Sequence, residues 1–323
     1  MRKFLVAAAF LLISNYGKAQ HPEFQFSFFQ VFDNREYFSD YGFSQTIFAS
    51  RLDASAVFRL DSLQFFAAGL NYMYEFGSTP LGVPPQVNLY YRYETSRSSI
   101  LLGSFPRKDL IRMPLVFLND TLNYYRPNIE GAYLAHKGEI LDIYGFIDWT
   151  GRVAENRRET FLVGMQSELK FSSFYISPAF LMYHNARSYS PVDSVPLQDN
   201  GIMSLVAGYR TGDVTGIYIH ASAGIVASYN RHRPENFTWG KGLLADVDLQ
   251  HKIFGMKAVY YRGNSIDFTY GDPFYRSRNY GRLDLFIDPA KSRKVETKIG
   301  WSFHLVPGEG IHHSQKVLLR VRF

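Results

Sequence analysis

The chain of 323 residues contains no cysteine. That absence excludes disulfides, thiol nucleophiles, cysteine-ligated metals and lipid attachment at a cysteine. There is also no apolar run long enough to span a bilayer as a helix, which takes about 20 residues. The run from Phe4 to Ile13 stops at ten. Neither sign of charge dominates: 35 Lys and Arg stand against 29 Asp and Glu, a formal net charge of only +6. No glycine-rich loop of the kind that cradles phosphate occurs. No tandem repeat of about 20–50 residues divides the chain.

The N-terminus reads MRKFLVAAAFLLISNYGKAQ. Arg2 and Lys3 precede the apolar run, and Ala19 supplies a small residue where cleavage would fall. Residues 1–20 are therefore expected to be a cleavable signal peptide, and residues 21–323 a single domain. Without residues 1–20 the formal charge falls from +6 to +3, so the basic balance is partly that segment's own. Nucleic acid is not an expected partner. An exported chain without cysteine suits the periplasm or outer membrane better than a disulfide-stapled secreted fold.

What the chain does have is aromatics: 17% of residues, with 23 Tyr and 28 Phe. It also has a period of two. In KVETKIGWSFHL, Lys294, Glu296, Lys298, Ser302 and His304 alternate with Val295, Ile299, Trp301, Phe303 and Leu305. SRLDASAVFRL and QVNLYYRYE do the same, setting Arg51, Asp53, Arg59 and Arg92 against Leu52, Ala54, Phe58 and Tyr91. A soluble sandwich would alternate as well. Here the alternating segments run to about ten residues, their polar faces carry charges of both signs, and aromatics cluster near their ends. Those are the demands of a strand that faces lipid on one side and water on the other. The expected fold is all-β: a transmembrane, antiparallel, up-and-down barrel of about 16 strands, with 14 as the alternative. Connections alternate in length. Those at 61–62, 137–138, 172–173 and 212–213 read as short. Those at 34–46, 78–83, 107–127, 152–159, 187–199, 229–238 and 265–278 read as long. An even count puts both termini at the short-turn, periplasmic side.

The last segment, KVLLRVRF, alternates to a terminal Phe323. It resembles the assembly signal of Gram-negative outer-membrane β-barrels. That resemblance implies insertion by the outer-membrane assembly machinery and contact with outer-membrane lipid and lipopolysaccharide. The count makes residues 107–127 the third external loop, and this segment is similar to the third loop of sixteen-stranded general porins. In that family the loop folds into the barrel and narrows it. Leu115, Val116, Phe117 and Leu118 would then seat against the wall. Arg107, Lys108, Asp109, Arg112, Asp120 and Arg126 would line an eyelet with wall residues Arg51, Arg59, Arg92, Arg282, Lys298 and Arg320. The segment departs from the porin pattern in having no acidic cluster.

Catalytic signatures are scattered. His184, His220 and His304 fall on different strands, and only His304 is expected to have carboxylates on an adjacent strand. His312 and His313 are neighbours in sequence and point to opposite faces. RHRPEN and AENRRE are charged loop tips, where Arg231, Arg233, Arg157 and Arg158 offer a weaker hypothesis of lipopolysaccharide phosphate binding. The expectation is therefore no enzymatic activity, no metal and no cofactor. The expected function is a porin-like channel for small hydrophilic solutes, constricted by residues 107–127. The alternative is a closed structural or scaffold barrel docking envelope polysaccharide or partner proteins through its long external loops, and an interfacial barrel enzyme ranks behind both. Whether the barrel forms a homo-oligomer is left open.

Overall fold

A computed structural model describes residues 22–323 except 156, 187, 190–195 and 212–215. The expected signal peptide and the turn at 212–213 lie outside the described residues. Sixteen strands close into one antiparallel barrel, each paired with its sequence neighbours, and the first pairs with the last. They are β1 (Glu23–Ser39), β2 (Gly42–Arg59), β3 (Gln64–Glu75), β4 (Gln86–Glu94), β5 (Ser98–Pro106), β6 (Asn128–Lys137), β7 (Leu141–Gly151) and β8 (Thr160–Phe171). There follow β9 (Phe174–Asn185), β10 (Gln198–Arg210), β11 (Ile217–His232), β12 (Thr238–His251), β13 (Phe254–Gly263), β14 (Asn279–Ile287), β15 (Val295–Leu305) and β16 (Ile311–Arg322). Among the described residues no helix is long and apolar enough to cross a membrane, which says nothing against crossing by strands.

Alternation orients the wall. On β2, Arg51 is buried inside while Leu52 is half exposed outside. On β15, Ser302 and His304 are buried and Trp301 and Leu305 are exposed. The exposed apolar row continues through Leu89, Leu205, Ile225 and Leu243, which is the surface lipid requires.

Two of the expected long loops are shorter than expected. Residues 34–46 are mostly the upper ends of β1 and β2, joined by a tight turn at Asp40 and Tyr41. Likewise β11 runs on to His232. The polar residues that looked like loop sequence are cross-strand partners. Asn34, for example, donates to Gln315 at 2.7 Å and accepts from Thr46 at 2.7 Å. The long connection at residues 107–127 is third on its side, as counted.

Candidate functional site

Residues 107–127 enter the barrel. Arg107 is buried in an ion pair with Asp148 of β7 and donates to the carbonyls of Arg126 and Asn128. Lys108 reaches Glu296 of β15. Asp120 pairs with Arg35 of β1 and Lys316 of β16. Arg51 of β2 donates to the carbonyls of Asn123 and Tyr124 at 3.0 and 3.1 Å. Burial pushes the Asp120 carboxyl up, but Lys316, Arg35 and Arg282 outweigh it and hold the group below the usual carboxylate range. Burial pulls the Lys108 ammonium down, and Glu296 only partly offsets that.

A second infolded segment, residues 264–278, meets the first. The backbone N–H of Asn119 donates to the Tyr270 carbonyl, and that of Asp272 to the Leu115 carbonyl, both at 2.8 Å. A Cβ on Gly271 would lie 2.4 Å from the Val116 carbonyl oxygen, so this approach requires glycine. Asn200 of β10 anchors the segment's other side by accepting from the Thr269 backbone N–H at 2.8 Å. Val116, Phe117, Ile266, Phe268, Phe274 and Tyr275 are all buried in one cluster with wall residues Phe105, Leu162, Leu181 and Tyr280. Phe274 stacks on His304 at 4.3 Å and lies parallel to Tyr280 at 5.4 Å. His304 meets the hydroxyls of Tyr280 at 2.7 Å and Tyr37 at 3.3 Å. The two segments thus form a plug joined to opposite sides of the wall.

Beside the plug lies a polar cavity of about 510 Å³, lined by Arg51, Lys108, Asp109, Glu296, Lys298 and Arg320 among others. Arg320 and Arg51 stand over the Phe29 ring at 4.9 and 4.8 Å, and Lys298 over Phe286 at 3.8 Å. Other residues expected to line an eyelet lie elsewhere. Arg59 pairs with Glu23 at 3.1 Å and Arg92 with Glu94 at 2.6 Å. Arg126 donates to the Thr150 carbonyl at 3.1 Å. Arg112 gives its backbone N–H to the Tyr144 hydroxyl at 3.2 Å. Arg282 is buried between Asp284 at 2.8 Å and Asp272 at 3.4 Å, within the plug contacts. Phe323 donates its backbone N–H to Phe26 at 2.9 Å, extending the closing ladder.

The histidines sort differently from expectation. His304 faces tyrosine hydroxyls and is sealed under Phe274. His220, His184 and His312 stand beside carboxylates: Asp246 at 3.3 Å, Asp199 at 3.2 Å and Glu309 at 3.4 Å. Asp199 closes the stretch 187–199 that reads as loop in the sequence, yet it lies within β10. There it stands directly opposite His184 in the ladder.

His184 and Asp199 face outward. Their chain neighbours Tyr183 and Asn200 contact Tyr270 and Thr269 inside, so alternation turns the pair to the other face. The Asp199 carboxylate accepts from His184 Nδ1 at 3.2 Å, Arg231 Nη2 at 2.7 Å and Arg233 Nε at 3.0 Å. Among the described residues the imidazole has no other hydrogen bond. Rings flank the pair: Phe161 at 5.0 Å from His184, and Trp149 stacked on Phe161 at 5.1 Å. On the other flank Tyr229 packs with Phe237 and Trp239 at 5.8 and 5.6 Å. Gly201 makes room for the Tyr229 ring, which a Cβ there would strike at 2.3 Å. Further down β10 and β11 come exposed Met203, Leu205 and Ile225. The pair therefore stands at the aromatic girdle, above the lipid-facing band. An Asp that holds Nδ1–H leaves Nε2 able to accept a proton, the arrangement of a general base.

Comparisons with known proteins bear on both regions. The model of a family described as lipid A 3′-O-deacylase-type matches residues 15–308. No relative is found among curated protein sequences. Similar solved structures include the loop L8 deletion mutant of OmpT, an outer membrane protein of Vibrio cholerae (TM-score 0.59, 8% identity, 95% of this chain and 100% of that one). They also include an anion-selective porin from Comamonas acidovorans (0.57, 10%, 94% and 100%) and Salmonella typhi OmpF in complex with daunomycin (0.56, 11%, 94% and 98%). These likenesses show the fold: a closed antiparallel barrel of the kind seen in outer-membrane porins. The expectation of no enzymatic activity is overturned by the family match, because the family is one of enzymes. That expectation rested on histidines scattered over different strands, whereas register sets Asp199 directly opposite His184.

Proposed function

We infer function from one premise: the chain belongs to the lipid A 3′-O-deacylase-type family. On that premise the barrel is an outer-membrane ester hydrolase that removes an acyl chain from lipid A in the outer leaflet. The observation that carries the reading is the outward His184–Asp199 pair at the girdle. His304 is fully buried beneath Phe274 and offers a lipid no access. His184 is reached from the membrane side, with acyl chains lying against Met203, Leu205 and Ile225. Asp199 fixes the imidazole, and Nε2 takes a proton from water as its oxygen attacks the ester carbonyl. The bond between the acyl carbon and the sugar oxygen then breaks, and the same nitrogen returns the proton to that oxygen, leaving a free fatty acid and a sugar hydroxyl. The termini face the periplasm in this arrangement.

The test is mass spectrometry of lipid A incubated with the purified barrel. Wild-type protein should release one ester-linked chain, and His184→Gln should slow release by at least about 100-fold. Unchanged release by His184→Gln removes this pair from the chemistry.

A second reading is favoured by the cavity beside the plug and by the likeness to porins. The barrel would conduct small hydrophilic solutes, with residues 107–127 as the constriction. Planar-bilayer recordings test it. No conductance steps above background would sink it, and an unchanged conductance after deleting residues 110–122 would show that this loop is not the constriction.

A further inference from the structure

Asp199 is outnumbered. One carboxylate faces two guanidiniums, and neither Arg231 nor Arg233 has another acidic partner among the described residues. The cluster therefore carries net positive charge on the outward wall, before any proton on His184. Each guanidinium has five N–H donors, and few are used. Arg231 spends Nη2 on Asp199 and Arg233 spends Nε and Nη2. The Arg231 Nε is buried with no hydrogen-bond partner. The Arg231 guanidinium is held 4.1 Å over the Phe237 ring, which fixes its plane. Arg233 is half exposed beside it. Fixed forks with spare donors suit a phosphate, which takes paired N–H bonds from arginine.

The surroundings specify what carries that phosphate. Trp239 and Phe237 are exposed on the outward face, and the strands below them present Met203, Leu205 and Ile225 to lipid. Aromatic rings of this kind sit at headgroup level with acyl chains beneath. A freely diffusing anion would gain nothing from those surfaces.

We propose that Arg231 and Arg233 form a clamp for a lipid-borne phosphate, which seats a phosphorylated lipid with its ester beside His184. The proposal rests on the hydrolase reading for its purpose, but the clamp can be measured without turnover. Quenching of Trp fluorescence reports binding, because Trp239 and Trp149 flank the cluster. The full barrel in detergent micelles is titrated with phosphorylated lipid A, dephosphorylated lipid A and phosphatidic acid. The proteins compared are wild type, His184→Gln, Arg233→Gln and Arg231→Gln/Arg233→Gln. Heat-modifiable gel mobility checks that each is folded. Wild type and His184→Gln should bind phosphorylated lipid A at least tenfold more tightly than the dephosphorylated form. Arg233→Gln should narrow that difference and the double variant should abolish it. Equal affinity for the two lipid A forms in wild type overturns the clamp, as does a preference that survives in the folded double variant. Equal binding of phosphatidic acid supports the clamp and assigns it to lipid phosphates in general. A preserved preference without hydrolysis leaves the clamp standing and removes the hydrolase reading.

Discussion

The plug and the girdle use the same residue types to opposite ends. Inside, His304 is wrapped by Phe274, Tyr280 and Tyr37 and, among the described residues, bonded only to phenolic hydroxyls. Arg107, Arg282 and Lys316 are matched there against Asp148, Asp284, Asp272 and Asp120. Outside, at the upper end of β9–β11, His184 shares its carboxylate with two arginines and keeps one nitrogen free. Where charge is buried it is paired, because an unpaired ion there costs several kcal/mol. Where it meets the headgroup layer it can remain in excess. The comparison separates side chains that hold the barrel shut from those able to act on a lipid.

Breaking the girdle alone should give the largest effect. His184→Gln should lower lipid A deacylation by at least about 100-fold while leaving the urea unfolding midpoint within error of wild type. A matching loss of stability would assign His184 to structure instead. Breaking the plug should do the reverse. Asp148→Ala strands the buried Arg107 guanidinium and should cost about 3–5 kcal/mol, read as a fall in that midpoint. Phe274→Ala removes the ring that caps His304 and should cost about 3–5 kcal/mol. It should also speed proteolysis within residues 107–127 and 264–278, and protection as complete as in wild type would show that the ring does not hold the plug.

Acid should loosen the plug by a smaller step. The Asp120 carboxyl is depressed in the folded protein, so its contribution is complete above the ordinary Asp value of about 4. It is lost as pH falls below that value. Asp120→Asn should flatten the pH dependence of stability in that range. The smallest effect is expected at Arg59–Glu23, an exposed pair at the short-turn end of the barrel. Arg59→Gln should change stability by less than about 1 kcal/mol, and a larger change would mean that exposed pairs contribute more here than their solvation suggests.

The sequence carried the barrel well, because a wall between water and lipid writes itself as alternation. Arg51, Arg282 and Lys298 point inward as their neighbours Leu52, Leu283 and Ile299 require. The number of strands followed from that rhythm. Loop ends were less legible: Asn34, Thr46 and Asp199 are polar and looked like loop, yet their partners lie across the ladder. The His184–Asp199 pair was hidden for a related reason. Its members are 15 positions apart in sequence, and register decides whether they meet. The infolding of residues 264–278 left little trace beyond Gly271, since aromatic loop residues serve equally for surface contact.

Asp120 has one more consequence. Its two cationic partners, Arg35 and Lys316, belong to the first and last strands, whose ladder is the seam where the cylinder closes. A carboxylate from the middle of the chain thus acts as a latch across that seam. Closure is then not a matter for the two ends alone. The final zipping of β1 to β16 and the seating of the central segment reinforce one another, and a barrel that shuts with that segment outside would shut unlatched.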